Sequence, residues 1–146
     1  RFGMPYVVGA PLGDTVSALL LGALQKSIRT GEHEILPAGT PDAPDTVILG
    51  ESVTSRSLAA ALLLDYGICA EVICPVELPR ELEGPFCRFM EDETDIQTTI
   101  SGARRVIADP LYRPIVPQGA QFFPLPHEAY SGRIYRKQIP NLVTPW

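Results

Sequence analysis

The run Thr46-Val47-Ile48-Leu49, a glycine, a helical stretch ending at Gly67, and the run Ala70-Glu71-Val72-Ile73-Cys74 constrain this chain more than any other feature. A short run without polar alternation suits a strand covered on both faces. Strand, helix and strand in succession specify a parallel βαβ crossover, right-handed by the usual chirality of such connections. Ser52 or Thr54 is the expected cap of the helix, which runs to about Tyr66. With Leu58, Ala59, Ala60, Ala61, Leu62, Leu63 and Leu64 it is apolar nearly all round, so it is expected to be heavily buried.

The alternation continues. Prolines and Gly84 between Pro75 and Met90 admit only short helical turns. Asp92, with Asp95 three residues on, reads as the N-cap of a helix through Ile100. Arg105-Val106-Ile107-Ala108 is the third strand, Asp109-Pro110 a turn before a helical segment broken by Pro114, and Gln121 to Leu125 the fourth strand. The expected fold class is α/β: a three-layer Rossmann-like domain with a four-stranded parallel sheet, preceded by a helical arm. In that arm Asp14 caps a helix whose Val16, Leu19, Leu20, Ala23, Leu24 and Ile28 share one buried face, ended by Thr30 and Gly31. Pro37, Gly39, Pro41 and Pro44 then mark a linker without regular structure. The expected division is residues 1–31 as the tail of a preceding domain plus a linking helix, 32–44 as linker, and 45–146 as the Rossmann-like domain. An opening without initiator Met or targeting pattern reads as an excised piece of a longer chain.

Composition narrows the function classes. A chain of 146 residues has room for one domain with a core. Net charge -5 offers no basic field for nucleic acid, and the longest apolar run, Leu58 to Leu64, falls far short of a membrane span. Cys69, Cys74 and Cys87 contain no CxxC pair, which argues against a zinc or iron–sulfur site made by this chain alone and fits a reducing, cytoplasmic setting. Cys69 and Cys74 read as small core hydrophobes, whereas Cys87 lies in a looser region and is expected to be more exposed.

In a parallel sheet the carboxyl ends of the strands share one edge, and ligands bind there. Four loops should converge on it: Gly50-Glu51-Ser52, Pro75-Val76-Glu77, Asp109-Pro110 and Pro126-His127-Glu128. The first begins a helix, so backbone amides and a positive dipole end should face the crevice. It lacks the further glycines of a dinucleotide fingerprint and the GK[ST] of a phosphate loop, and Glu51 would repel a phosphate. A plain helix cap is therefore favoured over a ligand site. The stretch from Phe122 to Lys137 carries more chemistry: an apolar strand end, Pro124 and Pro126, then His127, Glu128, Tyr130, Ser131, Gly132, Arg133 and Tyr135. His127 can be a metal ligand, a proton donor or a structural hydrogen-bonder. No GxSxG elbow supports a hydrolase. Arg133, Arg136 and Lys137 near Tyr130 and Tyr135 suit carboxylates on a ligand, or form a solvated basic turn. Arg104 and Arg105 read as a charge pair at a helix C-terminus, and His33 as an exposed linker residue.

Over nearly its whole length the chain resembles the C-terminal domain of the nitrogenase component 1 family, which includes nitrogenase molybdenum–iron protein subunits, cofactor-assembly scaffolds and tetrapyrrole reductases. The segments that carry the resemblance are RFGMPYVVGAPLG, DTVILGESVTSRSLAAALLLDYGICAEVICPV, RRVIADPLYRPIV and FFPLPHEAYSGRIY. In the family member holding the active-site cofactor, a histidine in the last segment binds the heterometal and precedes a Tyr-Ser-Gly run. His127 and Tyr130-Ser131-Gly132 correspond, with the His-to-Tyr spacing one residue shorter. The resemblance implies an oxidoreductase whose full-length parent holds an iron–sulfur or iron–heterometal cluster, or a tetrapyrrole, between domains. His127 is then the metal ligand, and Tyr130, Ser131, Gly132, Arg133, Glu51, Ser52 and Asp109 are candidates to line the cofactor. The implied partners are other domains of the parent, a homologous or identical second subunit and an ATP-dependent iron–sulfur reductase. The chain by itself is expected to be inert and to bind no cofactor, since the family's cysteine ligands lie in earlier domains. The competing expectations are a non-catalytic α/β module binding a small anionic ligand or a partner protein, and a domain that only scaffolds its parent's oligomer interface.

Overall fold

The computed structural model describes residues 3–37, 44–127, 130–135 and 137, the side chain of Arg133 excepted. The expected βαβ unit forms from β3 (Thr46–Leu49), α2 (Ser52–Tyr66) and β4 (Ala70–Cys74), with Thr46 opposite Ala70 and Leu49 opposite Ile73 in a parallel ladder. β6 (Arg105–Ala108) pairs on the other side of β3, and β7 (Gln121–Pro124) pairs beyond β6. The architecture is α/β and Rossmann-like, as expected. Its sheet has one more strand, in the order β5-β4-β3-β6-β7, all neighbours parallel. The addition is β5 (Cys87–Phe89), within the segment expected to hold only helical turns. Gly84 and Cys87 exchange backbone hydrogen bonds around Pro85-Phe86, and that turn delivers three proline-free residues to the edge of β4. A 3-10 turn over Arg80–Leu82 is the only helical part that the segment retains among the described residues.

Two apolar layers flank the sheet because successive side chains of a strand point to opposite faces. Val47, Leu49, Ile73, Val106 and Ala108 pack against Ile96 and Ile100 of α3 (Glu93–Ile100) and Ile115. Ile48, Val72, Cys74 and Cys87 face α2 through Ala59, together with Leu78 and Leu82. Cys87, expected to be the more exposed thiol, is 1% exposed because β5 carries it into this layer. The small residues of α2 let it be covered twice: Ala59 meets the sheet, while Ala60 and Ala61 meet Leu12, Val16 and Leu36 on the far side. Burial is confined to the part of the helix between Ser52 and Ala61, where Ser52, Ser55 and Ser57 are buried with the alanines, since Leu64 and Tyr66 are exposed. Gly67 ends α2 in the left-handed region (φ 66°) that favours glycine.

The leading helix α1 (Gly13–Thr30) lies outside α2. Asp14 is in its first turn, and Leu12 occupies the cap position without a side-chain bond. Val16, Leu20 and Ala23 make the contact with α2. Leu19, Leu24 and Ile28 are 41%, 42% and 82% exposed, against the expectation of one buried face, because α1 is the outermost layer and meets α2 along a narrow stripe. The segment read as linker also departs from expectation. Glu34–Ile35 (β2) forms a short parallel ladder with Val7–Val8 (β1), before the prolines take over. His33 is exposed as expected, stacked on Tyr6.

The arginines read as a helix-end pair serve the amino edge of the sheet instead. Arg105 donates from Nη2 to Asp45 Oδ1 (2.5 Å) and from Nε to Thr46 Oγ1 (2.8 Å), with Arg104 at 3.6 Å from the same carboxylate. The Arg105 hydrogen bond holds Asp45 below the ordinary aspartate value. Since Arg105 is itself a strand residue, its side chain can reach only across the ladder to Asp45 and Thr46 of β3's start.

Candidate functional site

The strand order supplies what the sequence could not: a switch point. From β3 the chain steps outward to β4 and β5, then returns to β6 on the opposite side. The loops after β3 and β6 therefore leave the sheet's carboxyl edge in opposite directions and open a crevice between them, the usual ligand position in such a sheet. Glu51 follows β3 and Asp109 follows β6.

Glu51 is the N-cap of α2. Its carboxylate accepts from the amides of Val53 (2.6 Å) and Thr54 (2.9 Å), and the Ser52 hydroxyl lies 3.3 Å from the same group. The cap expected of Ser52 or Thr54 is thus made by the longer Glu51 side chain, folded back on its own helix. The amides expected to face a ligand are already occupied. Burial pushes the Glu51 carboxyl up, but the hydrogen bonds from Thr54, Val53 and Ser52 outweigh it and hold the group below the ordinary glutamate value.

Asp109 is 2% exposed and organises the last loop. Its Oδ1 accepts from the Leu111 amide (3.0 Å), which caps the 3-10 helix Pro110–Ile115. Its Oδ2 accepts from the His127 amide (3.0 Å), the Ser131 amide (3.3 Å) and the Ser131 hydroxyl (2.6 Å). Here too burial acts upward, and the bonds from Ser131, Leu111 and His127 overcome it, so the carboxyl stays ionised below its ordinary range. The consequence is positional: one anion ties the loop after β7 to the loop after β6. The amides of Tyr130 and Gly132 both donate to the His127 carbonyl, which ties these residues to His127 at the start of α4 (Gly132–Tyr135).

Three rings meet edge-on at this place. His127 is half-buried and meets Tyr130 edge-on, centroids 5.7 Å apart at 65°. Tyr112, from the 3-10 helix, meets the other side of Tyr130 at 6.1 Å and 73°. The Tyr130 hydroxyl is buried and has no hydrogen-bond partner among the described residues. Burial pushes its phenol well above the ordinary value, and Tyr112, Cys74, Glu51 and Asp109 push in the same direction. Tyr112 is raised by burial first, then by Asp109 and Glu93.

The structure thus brings together His127, Tyr130, Ser131, Gly132, Asp109, Glu51 and Ser52. Ser131 and Ser52 are buried supports rather than ligand-facing groups. Arg133's side chain, Glu128 and Arg136 lie outside the described residues, while Lys137 is exposed. Sequence reasoning missed Tyr112; an aromatic three residues after Asp109, in the turn leaving the third strand, was the available signal. No group of three or more His, Cys, Asp or Glu side chains among the described residues could hold a metal ion. No helix among the described residues is long and apolar enough to cross a membrane. Models of known protein families, characterised proteins and solved structures give no match to this chain.

Proposed function

We propose that this chain forms one wall of a redox-cofactor site in a nitrogenase-like oxidoreductase, with the cofactor against the carboxyl edge of the sheet at the switch point between β3 and β6. The observation that carries the reading is the pairing of a held loop with an unsatisfied group. Asp109 fixes the backbone of His127 and Ser131, and beside that imidazole the Tyr130 hydroxyl is buried without a partner among the described residues. A buried polar group left unpaired costs roughly 1–3 kcal/mol, and such a group calls for an explanation at the site where it lies. A ligand accepting its hydrogen bond supplies one. His127 would bind a metal of the cofactor, Tyr130 would donate to an acceptor on it, and Asp109 and Glu51 would hold both loops in place. The group itself, an iron–sulfur or iron–heterometal cluster or a tetrapyrrole, would supply the electron storage that no side chain here has.

Two ionised carboxylates at the crevice favour a metal-bearing or cationic group over the small anionic ligand of the alternative reading. That alternative loses further support because the amides at the start of α2 are occupied by Glu51. A partner surface is supported by a different feature, the exposed Leu21, Leu24 and Ile28 of α1. It suits the other domains or second subunit that the proposal requires, alongside an ATP-dependent iron–sulfur reductase as electron donor.

The test uses the polypeptide as it occurs in the cell, purified without oxygen with whatever accompanies it, as wild type, His127→Ala and Tyr130→Phe. The expected result is a cofactor whose absorption is lost or shifted in His127→Ala, and whose midpoint potential moves in Tyr130→Phe at unchanged metal or pigment content. A cofactor spectrum indifferent to both substitutions would place the cofactor elsewhere and sink the assignment.

A further inference from the structure

The α2-facing layer holds a group of polar side chains that the proposed function does not use. Cys87 stands opposite Val72 in the β4–β5 ladder, so Cys74, two residues on, is its diagonal neighbour on the same face. Both thiols are buried, and both belong to one apolar cluster. Arg56 reaches the same place from α2. Its guanidinium donates to the Leu36 carbonyl (3.2 Å) and to the carbonyl of Leu82 (2.7 Å), a member of the same buried cluster as the two thiols. Among the described residues Arg56 forms no ion pair with a carboxylate. The hydrogen bonds of this part-buried cation go to carbonyls, and the two thiols are the buried groups of the adjoining cluster that can become anions.

We propose that Cys74 and Cys87 form a two-coordinate site for a soft monovalent d10 ion of the copper(I) type, with Arg56 as its charge partner. Thiolates select such ions, and a monovalent ion of this class needs only two soft ligands, where zinc would need four. Binding releases the two thiol protons to solvent and forms two sulfur–metal bonds, with no change of oxidation state. The charges then close: two thiolates against one metal cation and one guanidinium leave a neutral cluster in an apolar layer. A divalent ion would leave a buried positive charge, which is costly. A disulfide fits less well, because diagonal neighbours in a ladder lie roughly 7–8 Å apart, beyond the usual reach of the bond between α-carbons. Access is provided by an open cavity of ≈ 580 Å³ lined by Glu83, Gly84, Cys87, Arg88 and Phe89, where Glu83 presents a carboxylate to an entering cation. The inference uses none of the residues assigned to the cofactor, although Cys74, at the end of β4 beside β3, lies close enough to Glu51 and Tyr130 to interact with both electrostatically.

The experiment titrates the reduced full polypeptide under nitrogen with silver(I), and separately with copper(I) against a chromophoric copper(I) chelator, following the ultraviolet thiolate-to-metal band. One equivalent is expected to bind wild type and Cys69→Ser alike. Cys74→Ala and Cys87→Ala should each lose the band, and Arg56→Gln should bind at least tenfold more weakly, with Arg56→Lys in between. Circular dichroism of each variant separates lost binding from lost fold, and Cys74→Ser, which keeps the size of the side chain, replaces any variant that unfolds. Absence of one-equivalent binding in the folded wild type would overturn the proposal. So would a band that survives both Cys74→Ala and Cys87→Ala, or binding of zinc(II) as tight as that of copper(I).

Discussion

Replacing Asp109 by Ala tests the device that holds the site together. The carboxylate accepts four hydrogen bonds, from the Leu111, His127 and Ser131 amides and the Ser131 hydroxyl. Leu111 is exposed and His127 half-buried, so water can satisfy their amides after the substitution. Ser131 is 2% exposed, and its two donors are stranded. A stranded donor costs about 1–3 kcal/mol, and hydrogen bonds to a charged acceptor are at the strong end of the net range. The expected loss is about 3–5 kcal/mol, or roughly 10 °C in Tm for a chain of this size. Asp109→Asn keeps the shape but turns an NH2 group towards donors, so a loss of about 2–3 kcal/mol is expected. Urea and thermal unfolding followed by circular dichroism give the energies, and hydrogen exchange at His127 and Ser131 shows whether the loop is what loosens. The pH dependence has a definite sign. The folded carboxyl titrates below the unfolded one, so its contribution is complete above about pH 4 and is lost as pH falls through the folded value. The gap between wild type and Asp109→Ala should therefore narrow in acid. A loss under about 1 kcal/mol for Asp109→Ala, with unchanged exchange at both amides, would refute the reasoning.

Glu51→Ala removes the α2 cap, for an expected loss of about 1 kcal/mol. Because it bares the Val53 and Thr54 amides, sulfate should raise the Tm of this variant more than that of wild type; equal responses would show that Glu51 does not block an anion site. Ile28→Glu and Leu21→Glu alter exposed positions of α1, and each should change the stability of the isolated chain by less than about 0.5 kcal/mol. Both should also lower its binding of hydrophobic dyes; a loss above about 2 kcal/mol would mean that this face is already packed.

Most of the scaffold was legible because strands such as Thr46–Leu49 and Arg105–Ala108 are apolar runs bounded by Asp, Gly or Pro, and local signals suffice for these. β5 escaped notice because three residues between a turn and Met90 have no period to read, and only their pairing with β4 makes them a strand. The face of α1 was misjudged because apolar spacing shows that a helix has a stripe, not whether anything covers it. Glu51 was expected to repel a ligand when its own helix uses the charge, a choice made by a side-chain torsion rather than by sequence. At the site, the convergence of the loops at Glu51, Asp109 and His127 followed from the βα alternation alone. The Asp109 lock, the place of Tyr112 and the unpartnered Tyr130 hydroxyl depend on strand order and on contacts between residues far apart in sequence.

We propose a redox cofactor at this sheet edge. The most direct test is the visible absorption spectrum of the full polypeptide, isolated anaerobically with its natural partners, before and after reduction with dithionite. The expected result is a cluster or tetrapyrrole band that changes on reduction and is missing or displaced in His127→Ala. A colourless, metal-free preparation that still folds would contradict it and leave the crevice to a partner protein.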